Sequence, residues 1–576
     1  MFAFWLPPGK PAFARTSYCE QYSIASLSSR QVRELSLRWH QAILDNPTQA
    51  QTDSSKVCDI ILKDPRITAL ANNPLLLTTL LFVKRWIGYL PTKRCQLYEE
   101  IIKLLLVTWN AAAHHRLDLD ETEPQLAFIA HYMTLNGQQK ITRDQLERCI
   151  REARRAMPDL LGYTTVSPSN FIDQVEERSS LLIQQGLEKN ERGKLVPSYE
   201  FSHLSFQEYL TAKAVVEGWT PEDMDHAVSH LKAHLDETQW LEVVPLAAVL
   251  LGRQARPLVE YLLKESLQGS QSPQKPGSPD QEHRNIVSLH LANCIASEIP
   301  ISQDILDAAI RQIIIEEQSI NRIRHFHSSP INVFKTILHS KYGPRYREIV
   351  KETLFYQLDP NYIYEFSDAW LNIYLEDRGK PDPSSILNLL RSPDRQEYIT
   401  GALLMMQTAY QSRFSANAKP TEPLNKSFSI LLKLLDQDDI LCIFAAAWAV
   451  AWSGYDESDR LPHSLVPDFA GKLSQLWIKA EGPPQLQRAL SWALSSVCMP
   501  GLSIPCTPEL QETIEVRFTR PENEFDGRVA VYLAILLRLW PEEKIEQRLS
   551  SLPTLRPSGE SPFLKALGYA EKKTRA

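Results

Sequence analysis

The segment with the clearest chemical potential is Phe201-Ser202-His203-Leu204-Ser205-Phe206-Gln207-Glu208-Tyr209-Leu210-Thr211-Ala212. Ser205-Phe206-Gln207-Glu208 fits a capping box, in which a Ser hydroxyl and a Glu carboxylate satisfy free amides at a helix start. His203 then stands just ahead of a helix N-terminus. There the positive dipole end and the unpaired amides favour phosphate oxygens, to which an imidazole can donate a hydrogen bond. The plainer reading of the same residue is a fold-stabilising histidine at a helix start. The second candidate is Pro74, in Asn72-Asn73-Pro74, just ahead of the apolar run Leu75 to Val83. Pro is tolerated in a first helical turn, so this too reads as a helix start.

Other chemistries find no support. His114-His115 and His325-Phe326-His327 have no nearby Cys or second His pair at ligand spacing, so no metal site is expected. No Ser/His/Asp or Cys/His arrangement stands out, and no catalytic residue is assigned. The phosphate-cradling motif Gly-x-x-x-x-Gly-Lys-[Ser/Thr] is absent: Gly9-Lys10, Gly193-Lys194, Gly379-Lys380 and Gly471-Lys472 are the only Gly-Lys pairs, and none precedes Ser or Thr. Nor does an apolar strand end in an acidic cluster of the kind that holds magnesium.

Composition bounds what must position these residues. A chain of 576 residues is too long for one hydrophobic core and is expected to form two to four packed units. Hydrophobic residues at 43% and charged residues at 23% exclude wholesale disorder. With 62 basic and 69 acidic side chains the net charge is −7, which gives no general reason to bind nucleic acid. Eight scattered cysteines without a Cys-x-x-Cys pair read as reduced, mostly buried thiols of a cytoplasmic protein. The longest uncharged apolar run, Ile440 to Trp452, falls well short of the roughly 20 residues that span a bilayer.

Along the chain, Val32, Leu35, Leu37, Trp39 and Ile43 recur at near-helical spacing after Tyr22-Ser23-Ile24-Ala25-Ser26-Leu27, which alternates like a short strand. The helix opened by Pro74 is apolar all round and is expected to be buried. Another follows Leu90-Pro91-Thr92, and more are expected at 123–135, 143–156 and 169–180. Leu181-Leu182-Ile183, the polar turn Asn190-Glu191-Arg192-Gly193, and Leu195, Val196, Tyr199 and Phe201 predict a β-hairpin wing. Helices followed by such a wing suggest a winged helix. Residues 268–283 are a low-complexity linker.

Farther on the chain repeats itself. Leu390 and Leu403 recur as Leu435 and Trp448, both 45 residues later. Trp492 follows Trp448 by 44 residues and Tyr532 lies 40 further on. Paired helices with a 40–47-residue period are the signature of HEAT or armadillo repeats, whose neighbours stack because one pair cannot bury its own apolar face. Trp448 and Trp452 lie one turn apart and are expected to pack between repeats.

The segment around His203 resembles the Phe-x-His-x-x-Phe-Gln-Glu-Tyr/Phe-x-x-Ala signature of NACHT proteins, which are STAND-class signalling ATPases. Two more segments agree in the family's order: Asn73-Pro74-Leu75-Leu76-Leu77 is similar to its helical-domain Asn-Pro-Leu helix, and Leu90-Pro91-Thr92 with Leu97-Tyr98-Glu99 to the element that follows. Tyr22 to Leu27 is similar to the connection just past the ATPase core, so the resemblance covers roughly residues 15–220. It implies that His203 reaches the β-phosphate of bound ADP in the closed, inactive state, and that Pro74 packs against the adenine. With the phosphate-binding loop absent, it also implies that this chain begins just after the core.

The expected fold is mainly α: a helical domain, a winged helix with a short β-hairpin, and a HEAT/armadillo-like solenoid. The expected divisions are a remnant of the core and a linking helix (1–50), a helical domain (51–115), a winged helix (116–220), further helices (221–267), the linker (268–283) and a repeat sensor domain (284–576). The resemblance implies the regulatory and sensing portion of a signalling ATPase, in which the repeats recognise a protein trigger, as in antiviral or innate-immune-type defence. ADP or ATP with magnesium is expected only when a core is supplied in cis or in trans, with oligomerisation on activation, and no cofactor is expected for this chain alone. Neither a membrane nor a nucleic-acid partner is expected. The alternative is a stand-alone helical-repeat scaffold that binds a protein and no nucleotide.

Overall fold

A computed structural model describes residues 26–547 except 64, 92, 109–116, 180, 191, 221–226, 269–278, 318–319, 321–332, 413–421, 455–461, 480–482, 498–505, 522–523, 542 and 546. The alternating segment Tyr22–Ala25, the two histidine pairs, most of the linker and the basic tail lie outside the described residues. Two compact units result, Met1–Tyr346 and Arg347–Ala576.

The first unit opens with α1 (Ser29–Ile43), α2 (Pro47–Lys63), α3 (Pro65–Ala71) and α4 (Pro74–Ile87). Ser28 and Gln31 form a reciprocal capping box at the start of α1. Asn73 caps α4, its Oδ1 accepting from the Leu75 and Leu76 amides at 2.9 and 3.3 Å. Gly88 ends that helix at φ 85°, a left-handed conformation that costs other residues about 1–2 kcal/mol. Leu76, Leu77, Leu80, Leu81 and Val83 are buried as expected. Leu75 and Trp86, however, are 45% and 66% exposed, so an apolar sequence all round does not produce an enclosed helix here.

The winged helix comprises α5 (Arg94–Lys103), α6 (Leu119–Leu135), β1 (Ile141–Thr142), α7 (Arg143–Ala156), α8 (Pro158–Leu161), α9 (Pro168–Ser179), β2 (Leu182–Lys189), β3 (Leu195–Phe201) and α10 (Leu204–Glu217). Its sheet is antiparallel with order β1-β3-β2. Asn190 builds the predicted hairpin turn: its Oδ1 accepts from the Arg192 and Lys194 amides, and Gly193 adopts φ 73°. The pairing slips by one residue between Gln184 and Leu187, beside Gly186 at φ 87°. Such a bulge tolerates Pro197, which has no amide hydrogen to offer the ladder. The two-residue strand β1, which no sequence pattern marked, leads directly into a Thr142/Gln145 capping box on α7.

Inside this domain, α5 runs into a π-helical turn, Leu104–Thr108. The buried Arg178 of α9 donates to the Leu106 and Val107 carbonyls of that turn at 3.1 and 3.2 Å. A wider helical turn offers carbonyls to outside donors, and an inward-pointing guanidinium is suited to several at once. Beyond the winged helix come α11 (Ala227–Ala233), α12 (Val243–Leu251), α13 (Arg256–Gln268), α14 (Pro279–Ala296), α15 (Gln303–Ile315), α16 (Val333–His339) and α17 (Gly343–Tyr356). Helix α12 packs on α10 and α14.

In the second unit α18 (Ile363–Arg378) precedes four helix pairs: α19 (Pro383–Arg391) with α20 (Arg395–Ser412), α21 (Glu422–Leu434) with α22 (Ile440–Gly454), α23 (Val466–Lys479) with α24 (Pro484–Val497), and α25 (Pro508–Thr519) with α26 (Glu524–Leu536). The first member of each pair packs on the first member of the next, and the second members do likewise. This two-layered stack of helical repeats is the arrangement the 40–47-residue period predicts. Trp448 of α22 and Trp492 of α24 meet edge to face, 5.0 Å apart, between consecutive repeats. Arg395 and Asp439, at equivalent ends of α20 and α22, pair at 2.7 Å.

Gly401 in α20 marks a close approach between α19 and α20. A methyl group there would sit 2.9 Å from the Leu390 amide nitrogen and 3.1 Å from Leu389 Cβ. Overpacking costs about 1–3 kcal/mol, against about 1 kcal/mol gained by replacing glycine in a helix. Gly401→Ala is therefore expected to lower the urea midpoint of the second unit's unfolding. An unchanged or raised midpoint would mean that α19 and α20 do not approach this closely.

Candidate functional site

The site is built on the strand-to-helix reversal at the end of the hairpin. β3 ends at Phe201, and His203 keeps an extended backbone (φ −148°, ψ 139°) immediately before α10. Its Nδ1 accepts a hydrogen bond from the Ser205 amide at 3.1 Å. His203 is thus the N-cap itself, and Ser205, read above as the capping residue, already lies inside the helix. Only Ser202 and His203 separate strand from helix, and the ring nitrogen of His203, the residue next to the helix, takes the cap.

Burial holds His203 below the usual imidazole range, so the ring is neutral at neutral pH. With Nδ1 engaged as acceptor, the hydrogen of a neutral ring resides on Nε2, leaving that atom a donor. One neutral N–H at a helix N-terminus fits a single hydrogen bond to a phosphate oxygen.

Below the cap lies a group of polar residues that sequence reading missed. Arg94 Nη1 pairs with Glu242 Oε2 at 2.9 Å, joining the first residue of α5 to the turn before α12. The Arg94 guanidinium also stands 6.0 Å from the ring centre of the buried Tyr98. Tyr98 in turn contacts Phe206 and Tyr209 of α10, with ring centres 6.3 and 5.6 Å apart. Burial pushes Glu208 well above the carboxylate range; Glu242 adds to the shift and Arg94 opposes it. Arg94 and Glu242 are 148 positions apart, and no local pattern announces such a pair.

Pro74 sits in the first turn of α4 and is exposed. It is not on the same helix as His203; α5 packs against both α4 and α10. Each candidate has an exposed leucine beside it, Leu75 at 45% and Leu204 at 42%. The cleft formed by Lys93, Arg94, Leu246, Val249, Asn293 and Ser297 measures about 40 Å³. That is room for a few waters, whereas ligand pockets run to about 300–1,000 Å³.

Among the described residues no group of three His, Cys, Asp or Glu side chains could hold a metal ion. Burial raises the Cys95, Cys149, Cys294 and Cys442 thiols to about 12, which makes them poor nucleophiles. No described helix is long and apolar enough to cross a membrane.

Residues 94–215 match the family described as the winged helix-turn-helix domain C-terminal to NACHT. The match runs from Arg94, first residue of α5, to Val215 in α10, and so contains His203 and its cap. No curated protein matches the chain.

An imidazole serving as N-cap should be replaceable by asparagine, which caps well, and not by alanine. His203→Ala is expected to lower unfolding stability by about 1 kcal/mol in urea titrations, and His203→Asn by only a few tenths. Equal losses in both variants would show that the Nδ1 contact contributes nothing.

Proposed function

Starting from a NACHT-associated winged helix at residues 94–215, we propose that this chain is the regulatory and sensing portion of a STAND-class signalling ATPase. The observation that carries the reading is His203: a neutral imidazole at the head of a buried helix, with its Nε2–H left as donor by the Nδ1 cap. In the inactive state this donor contacts the β-phosphate of ADP held by an ATPase core supplied in cis or in trans, and Pro74 contacts the adenine. The core supplies the phosphate cradle and magnesium; the present residues supply one phosphate donor and an apolar rim. The exposed leucines beside both residues support the idea that a further surface covers them.

The helical repeats recognise a protein trigger, in a defence role against viruses or other invaders. Trigger binding favours the open form, in which ADP is exchanged for ATP and the protein oligomerises. Inverting a two-state population from 1:99 to 99:1 needs a preference of roughly 5.5 kcal/mol for the open form. A contact surface spread over several stacked helix pairs can supply that much.

Calorimetry with ADP tests the proposal on this chain alone and on a protein carrying the core upstream. Binding is expected only with the core. His203→Ala is expected to weaken it roughly 10–100-fold, the loss of one hydrogen bond to a charged group. No ADP binding with the core present would overturn the reading and leave a nucleotide-free protein-binding scaffold. Undiminished binding by His203→Ala would remove His203 from the phosphate.

A further inference from the structure

The stretch that leaves the winged helix is short of its own support. Helix α11 has only seven residues and is followed by a turn and a single 3-10 turn, Thr238–Trp240. So brief a helix has few internal hydrogen bonds and depends on contacts from outside. Two buried histidines provide them. His131 of α6, 1% exposed, brings its Nε2 within 3.0 Å of Nε2 of His230 on α11, itself 6% exposed. Just past the end of α11, His290 of α14, fully buried, donates from Nε2 to the Leu235 carbonyl at 3.0 Å.

We propose that the segment Ala227–Trp240 is a joint clasped at His230 and Leu235 by the imidazoles of His131 and His290, and released when they take up protons. The first contact needs at least one neutral ring: two Nε2 atoms at 3.0 Å attract only while one donates and the other accepts, so two protonated rings would set N–H against N–H. Against a single added proton the obstacle is burial. Nδ1 of His131 and Nδ1 of His290 are both buried without a hydrogen-bond partner, so a proton arriving there meets no acceptor.

The surroundings reinforce this. His230 and His234 act on His131, and both disfavour its positive charge after burial does so first, so that His131 is pushed down to about 3. Burial likewise pushes His290 down to about 4, opposed by its bond to the Leu235 carbonyl and by Asp236. The segment's charged or titratable groups also have partners of their own. His234 stacks on Trp240, 4.4 Å between ring centres, and bonds Glu237 at 2.7 Å. Asp236 pairs with His283, and Lys232 lies over the Tyr261 ring at 4.4 Å. Between α6 and α10, Thr134 and Thr211 share a hydrogen bond at 2.9 Å, and Glu123 of α6 pairs with Lys213 of α10 at 2.6 Å.

Both histidines are bases depressed below the ordinary value near 6.5. The closed segment refuses protons that the opened segment accepts. The clasp is therefore at full strength above about pH 6.5 and weakens as the pH falls toward 4. For each histidine the opening constant should rise about 30-fold between pH 7.5 and 5.0, and roughly 1,000-fold for the two together.

Hydrogen–deuterium exchange on the full chain, corrected for intrinsic rates, reads the opening directly. Amides of 227–240 are expected to lose at least 100-fold in protection from pH 7.5 to 5.0, while those of α7 and α22 keep theirs. The loss should begin near pH 6.5. His290→Gln retains an amide donor for the Leu235 carbonyl but cannot titrate, and should remove about 30-fold of the change. Protection of 227–240 that tracks α7 at every pH would overturn the proposal, as would a full pH response in a His131→Gln/His290→Gln protein. Should that double variant not fold, the wild-type profile still decides: a loss that begins only near pH 4, where carboxylates titrate, rules the clasp out.

Discussion

The first unit depends on the burial of α10. Phe206, Gln207, Tyr209, Leu210, Thr211, Ala212, Ala214 and Val215 are all buried, so nearly the whole circumference of this helix must be covered. The polar side chains Glu208 and Lys213 are themselves only partly open to solvent, so α10 is enclosed on nearly every side. Here α6 and α12 form the main walls, while α5 and the end of β3 complete the enclosure. The same enclosure brings His203 to the head of the helix and removes enough water from its ring to keep it neutral. A single packing requirement thus sets the position, tautomer and charge of the candidate phosphate donor.

Enclosure has an electrostatic consequence. Removing one partner from a buried ion pair costs several kcal/mol, because the other charge is stranded. Arg94 and Glu242 escape that cost by meeting each other, and Glu208, with a second carboxylate nearby, favours its proton-bound form. Histidines meet the same constraint by staying neutral, as His131, His203 and His290 do. The polar residues that tie the winged helix to the helices after it therefore carry little net charge at neutral pH. Their contacts hold by hydrogen-bond geometry more than by Coulomb attraction, which makes them responsive to protons wherever an imidazole is the partner.

The second unit follows a different logic. Helix pairs stack on their neighbours in sequence: a small residue, Gly401, lies where two helices approach closely within a pair, and large aromatics, Trp448 and Trp492, meet between consecutive pairs. Trp448 is 6% exposed and packed against Trp452 and Trp492, which makes these rings part of the stack and not a ligand platform. Repetition of a local rule is why the period was legible in the sequence.

Features set by near neighbours could be read from the residues alone: the Asn73-Pro74 helix start, the hairpin closed by Asn190 and Gly193, the helices expected at 123–135, 143–156 and 169–180 and found at 119–135, 143–156 and 168–179, and the 40–47-residue repeat. Turn chemistry, capping and hydrophobic period act over a few residues and leave a local trace. The capping motif points to Ser205, two positions beyond the actual cap His203, because the end of β3 decides where the helix begins. Only the tertiary structure decided the rest. β1 exists because β3 offers it an edge, Leu75 and Trp86 stay open because no described element covers them, and His131 meets His230 across 99 positions. Burial and long-range pairing depend on which surfaces meet, and no short stretch of sequence contains that information.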